Sequence, residues 1–275
     1  MSTTTTVLDP ATAEVVQHRE RSRTASARIP LSRLVGVELR KMFDTRSGFW
    51  LMASIVIMSV LATAAIIVFA PDDQQTYDNF AAAIGAPMTI ILPMIGILAV
   101  TSEWSQRSGL TTFTLVPRRG RVLGAKVLAA IAVGIVAMFI ALVVGVLGTL
   151  VGSMITGLDP VWNATVSEFA LIVLGSVLGM LFGFMLGVLI RNSAGAIVAY
   201  FVYTLVLPPL LGLLAANQEW FKDLQPWVDY NNAQTVLFNG SVTTEQWQQL
   251  AVSGTIWFLI PLAVGLFIVR RSEVK

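Results

Sequence analysis

The sequence predicts an all-α integral membrane protein with six transmembrane helices, and three observations carry that prediction. The first is scarcity of charge: 18 basic and 16 acidic residues in 275, or 12% charged, with 55% apolar residues and a mean hydropathy of +0.75. A soluble domain carries about a quarter charged residues, so this composition excludes a disordered protein, a nucleic-acid module and an ordinary cytosolic enzyme. The second is segregation of those charges. Uncharged windows of 25, 24 and 32 residues lie between Arg46 and Asp72, Asp78 and Glu103, and Lys126 and Asp159, and three more occupy 169–190, 192–218 and 246–269. Each exceeds the about 20 apolar residues that cross a bilayer as a helix. The third is that the windows are continuously apolar, whereas a β-barrel would show short alternating segments.

Taken in order, residues 1–30 are polar and Thr-rich, without the apolar core of a signal peptide, and are expected to form a disordered cytoplasmic tail. Residues 31–46 place Leu31, Leu34, Val35, Leu39, Met42 and Phe43 at helical spacing, with Arg33, Arg40, Lys41 and Asp44 mostly opposite. Such a basic amphipathic helix would lie in the headgroup plane, or it is simply the cytoplasmic extension of the first span. The six-span domain is placed at 47–275, with spans at 48–70, 82–103, 122–155, 165–190, 194–216 and 247–270. The 32-residue window is either a long tilted helix or a helix with a non-helical tail at Gly157. Thr165-Val-Ser-Glu168 and Thr243-Thr-Glu-Gln246 read as capping boxes that start the fourth and sixth helices. Gly175, Gly179, Gly183 and Gly187 put a smooth stripe on the fourth span, for tight helix packing. Pro93, Pro208, Pro209 and Pro261 mark kinks or frayed ends. The outer loop, 217–246, alternates Trp220, Phe221, Leu224, Trp227 and Val228 with polar residues, which suits one or two short interfacial helices.

Orientation follows from the basic residues, which accumulate on the cytoplasmic side of short loops. The tail before the first span, the second-to-third and fourth-to-fifth connections and the C-terminal end hold 17 of the 18. The other three loops hold Lys222 against nine acids, so both termini are expected inside. The positive charge is thereby a topological device and no nucleic-acid partner is expected. With no cysteine there is no disulfide framework, thiolate metal site or catalytic thiol. No Asp, Glu, Lys, Arg or His falls inside a window, and the one histidine, His18, is in the tail. That disfavours an ion-coupled transporter and an intramembrane hydrolase alike. Gly120-Arg-Val-Leu-Gly124-Ala-Lys126-Val departs from a phosphate-binding loop in spacing and lacks the hydroxyl after Lys. Neither catalytic residues, metal nor cofactor are expected in this chain, and uphill movement of a cargo would need energy from another chain.

Between the second and third spans, in a region set at 103–121, Glu103 closes a helix, a short segment bears Leu110, Phe113 and Leu115, Pro117 breaks it, and Arg118, Arg119 and Arg121 lead onward. An apolar-faced short helix flanked by charge suits docking into a groove on a soluble partner, while a charged loop that only fixes topology reads equally well from the residues. The pattern of Glu103, Gly109, Leu110 to Leu115, Pro117, Arg118, Arg119 and Lys126 resembles the permease subunit of type-2 ATP-binding-cassette (ABC) exporters. Leu110 departs from the Thr commoner after the glycine there, with Thr111 following.

The resemblance implies an elbow helix at 31–46, a cytoplasmic coupling helix, and a pair of permeases, identical or related, in a bacterial cell membrane. Two copies of a separate cytoplasmic ATPase would carry ATP and Mg. Contact with that ATPase would fall on Glu103, Arg107, Leu110, Phe113, Leu115, Pro117, Arg118, Arg119 and Arg121. Thr89, Met94, Met138, Met154, Tyr200, Tyr203 and Thr204 are pathway candidates for an amphipathic or hydrophobic cargo such as a drug, lipid or peptide. A membrane regulatory or immunity protein and an uncoupled channel share the topology and stand as alternatives.

Overall fold

The computed structural model describes residues 30–105 and 119–271. Every regular element in them is helical, and six helices are long and apolar enough to cross a membrane. The amphipathic α1 (Leu31–Asp44) is followed by α2 (Arg46–Phe69), α3 (Tyr77–Ser105), α4 (Arg119–Thr156), α5 (Val166–Ile190) and α6 (Ser193–Asn217). Two short helices, α7 (Glu219–Val228) and α8 (Tyr230–Thr235), precede the last span, α9 (Thr244–Val269).

Local chemistry sets the ends. Thr45 leaves helical geometry between α1 and α2, and its hydroxyl accepts from the Gly48 amide at 3.1 Å. A Cβ on Gly48 would collide with the Met42 carbonyl, so this tight junction requires glycine. Both expected capping boxes are formed, at Thr165 with Glu168 and at Thr243 with Gln246. α3 begins at Tyr77, earlier than the charge pattern indicated, because Asp78 sits in the first turn where the helix dipole favours a carboxylate. α4 continues unbroken to Thr156, and Gly157 at φ 71° ends it.

The prolines of α6 and α9 act one turn upstream of themselves. A five-residue π turn at Val202–Val206 precedes Pro208 and Pro209, and another at Thr255–Leu259 precedes Pro261. Proline supplies no N–H and its ring crowds the carbonyl four residues back, so the helix widens there instead of breaking.

α3 is the central helix: Phe80, Ile84, Met88, Leu92 and Ile95 form a stripe that is at most 2% exposed. It packs against α2, α4, α5 and α6, most extensively against α5. Two close approaches join α3 to α5. A Cβ on Gly183 would strike the Pro93 carbonyl, and one on Gly96 would strike the Met180 carbonyl. Gly187 continues the contact, where a Cβ would lie 3.1 Å from the Ile97 carbonyl. The N-terminal half of the same glycine stripe meets the segment between α6 and α9, Gly175 facing Phe238 and Gly179 facing Gln234. By contrast α2 leaves Phe49, Trp50, Leu61, Val68 and Phe69 exposed, a surface compatible with lipid.

Replacing Gly183 with Ala is expected to destabilise the bundle by about 1–3 kcal/mol, because a backbone carbonyl cannot rotate away as a side chain does. Gly212, which has nothing within 4 Å of a built Cβ, should accept Ala without loss. Thermal unfolding of the two variants in detergent micelles, followed by near-UV circular dichroism, checks the contrast.

Candidate functional site

The end of the bundle where α3 finishes and α4 starts is organised by a buried charge on α1. Leu34, Val35, Leu39 and Met42 form the inward stripe of that helix, and Glu38 lies in the middle of it, only 6% exposed. Its carboxylate accepts from Lys126 of α4, at 2.5 Å, and from Lys41 one turn along α1, at 2.8 Å. Lys126 is itself 3% exposed and donates further to the Ala99 carbonyl of α3 at 3.2 Å. One ammonium thus joins three helices: α1, the end of α3 and the beginning of α4.

The neighbours explain why α1 can come so close. Ala125, Ala129 and Ala130 are fully buried on the α4 face around Lys126, where larger side chains would hold the helices apart. A crevice of about 300 Å³ lies alongside, lined by Glu38, Lys41, Met42, Leu98, Ser102 and Lys126 among others. A second polar tie, Ser193 donating to Thr101 at 2.8 Å, fastens the start of α6 to the end of α3.

Desolvating two charges costs several kcal/mol, so such a pair is poor evidence of stability on its own, yet removing one member is strongly destabilising. What the arrangement does is mechanical. α3 and α4 flank residues 106–118, and Glu38 and Lys126 couple both flanks to α1, so the three bases are held as one unit.

Of the residues singled out in the sequence, Glu103 lies in the last turns of α3, and Arg119 and Arg121 open α4. Arg107, Leu110, Phe113, Leu115, Pro117 and Arg118, with the expected coupling helix, lie outside the described residues, as does the tail before residue 30. Thr89, Tyr200, Tyr203 and Thr204 come together around one cavity between the middle stretches of α3, α5 and α6. Met94 is not on its wall but packs against the cluster that holds its Phe182, Tyr200 and Tyr203, Met138 is buried in the core, and Met154 is 82% exposed.

Sequence reasoning passed over Glu38, although a signal existed. A carboxylate four residues after Leu34 and four before Met42 occupies an apolar stripe, and an inward charge requires a partner. The partner, 88 positions away, has no such signal. Lys126 borders a charge-free window in the sequence but sits inside the packed base of the third span. Among the described residues no three His, Cys, Asp or Glu side chains converge as metal ligands.

These features define a multi-pass helical membrane protein with a charge-linked base at one end of the bundle. No family model matches the sequence, and no curated protein matches it.

Ala at Glu38 is expected to lower stability by about 3 kcal/mol, since it removes the carboxylate facing two ammonium groups. Met at Lys41, whose side chain is 45% exposed, should cost under about 1 kcal/mol. Melting temperatures in detergent should therefore fall several degrees for the first variant and little for the second; equal losses would refute the ranking.

Proposed function

We propose that this chain is the transmembrane permease subunit of an ATP-driven exporter of the type-2 ABC class, working as a pair with two copies of a separate cytoplasmic ATPase. In this reading α1 is the elbow helix in the headgroup plane, residues 103–121 contain the coupling helix, and both termini are in the cytoplasm of a bacterial cell. The cargo is an amphipathic or hydrophobic molecule such as a drug, lipid or peptide, and the ATP and Mg belong to the partner.

The observation that carries the reading is the buried Glu38–Lys126 pair. It clamps the amphipathic helix to the spans on both sides of the loop whose residues resemble the ATPase-contacting segment of such permeases. A push delivered at 106–118 would therefore move α1, α3 and α4 together rather than bend the loop alone. A loop serving topology only would need no inward charge on α1, because exposed Lys and Arg suffice for that purpose. The paucity of ionisable groups within the spans agrees with energy taken from a partner rather than from an ion gradient.

Purification from the native membrane is expected to bring down an ATPase chain in equal amount. Phe113→Asp or Glu103→Arg should abolish coupled ATPase activity while leaving membrane insertion intact. Undiminished turnover in both variants, or no ATPase chain at all, would remove the proposal.

Orientation has its own check, aided by the lack of native cysteine. A membrane-impermeant maleimide should label Ser241→Cys in intact cells, and Ser32→Cys only after permeabilisation. The reverse pattern would invert the topology.

A further inference from the structure

A groove of about 490 Å³ runs along the bundle between α1, α2 and α4, and every residue lining it is apolar. Its floor is Ile55, Val133 and Ala137, at most 6% exposed, while Phe43, Phe49 and Val136 on its rims are 50%, 56% and 57% exposed. The three helices thus leave a trough that opens sideways to lipid.

Its dimensions limit what can fill it. The lining runs from Phe49 to Val56 along α2 and from Ala132 to Ile140 along α4, a length of about 10–12 Å at about 1.5 Å per residue. The volume then corresponds to a cross-section of roughly 45 Å², little more than half that of a helix about 10 Å across. A neighbouring helix is too wide to enter, and wholly apolar walls offer it no polar tie. An extended acyl chain is slender enough to lie along the trough.

Charge marks one end of it. Arg46, Phe49, Ala53 and Val56 fall on one face of α2, at spacings of three, four and three, so the arginine stands at the head of the groove-lining stripe. Arg46 is exposed, begins the span where apolar chain gives way to headgroups, and has no acidic partner among the described residues. Arg40, one turn before Phe43 on α1, is 83% exposed, and its pair with Asp44 at 3.5 Å is a weak surface contact. Arg33, two turns further back, is a third exposed guanidinium. Glu38 does not offset them, because it is buried against Lys41 and Lys126.

We infer that this groove holds one acyl chain of an anionic phospholipid whose phosphate rests on Arg46 and Arg40. Guanidinium groups take phosphate oxygens in pairs, and the apolar trough takes the chain that hangs from the same molecule. A zwitterionic lipid would bring its own cation to these arginines, which gives the site its preference. The site depends neither on the permease reading nor on which face of the membrane is cytoplasmic.

The probe is dioleoyl phosphatidylglycerol, compared with dioleoyl phosphatidylcholine, which has the same chains, by native mass spectrometry of the full chain released from detergent micelles. The first phosphatidylglycerol adduct is expected at lower lipid concentration than the first phosphatidylcholine adduct. Arg46→Gln should weaken phosphatidylglycerol about threefold to tenfold and leave phosphatidylcholine unchanged, and Arg46→Lys should keep most of the preference. Ala53→Phe fills the open trough and should weaken both lipids, whereas Gly212→Leu, in open space, should weaken neither. Glycerol phosphate, the anion without chains, should not displace the bound lipid. Equal affinity for the two lipids, a preference untouched by Arg46→Gln, displacement by glycerol phosphate, or an equal loss in Gly212→Leu and Ala53→Phe overturns the inference. Disulfide cross-linking of Ala53→Cys between chains in the native membrane would assign the groove to a second copy and overturn it as well.

Discussion

Gly183 resting on the Pro93 carbonyl is the contact around which the rest of this bundle is built. Within a bilayer, apolar side chains gain little by leaving lipid for protein, so helices associate through close packing and polar ties. α3 and α5 meet the first condition twice, at Gly183 and at Gly96, and this brings their backbones near enough for the long stripe from Phe80 to Ile95 to be enclosed. Once α3 is enclosed it serves as the post against which α2, α4 and α6 lean, leaving their outer faces apolar and exposed.

Different chemistry operates along that post. At its C-terminal end a single carboxylate on α1 gathers Lys41 and Lys126, and Lys126 also reaches the Ala99 carbonyl. Low dielectric makes this tie strong in direction if not in net stability, which suits an element that moves as a unit. Farther along the bundle the joints are aromatic. Phe182 stacks with both Tyr203 and Tyr230, and Trp257 donates to the Val228 carbonyl at 2.6 Å, so α7 and α8 are seated on α5, α6 and α9. Burial there pushes the Tyr230 hydroxyl above its ordinary range, and it stays a neutral side chain in any physiological medium.

Much of this was legible residue by residue. The six spans follow from charge-free windows, because a bilayer penalises charge along its whole depth and the penalty is written into composition. The two capping boxes involve residues three apart and therefore declare themselves locally. The four-residue glycine period named a packing face, although not that its C-terminal half meets α3 while its N-terminal half meets Phe238 and Gln234. Gly96 escaped notice because its partner is the Met180 backbone, and an isolated glycine carries no period. The π turns were readable only in part: Pro208, Pro209 and Pro261 signalled irregularity, while widening rather than breaking depended on neighbouring helices that keep α6 and α9 aligned.

By itself the sequence determined an all-helical membrane protein, the approximate ends of its spans and the amphipathic character of residues 31–46. These are properties of single segments in a solvent, and hydropathy, charge and capping express them locally. Tertiary structure decided that Glu38 faces Lys126, and that Thr89, Tyr200 and Tyr203 share one cavity while Met94 and Met154 do not. Each of these joins positions on different helices, and no local periodicity records which faces of two helices will meet.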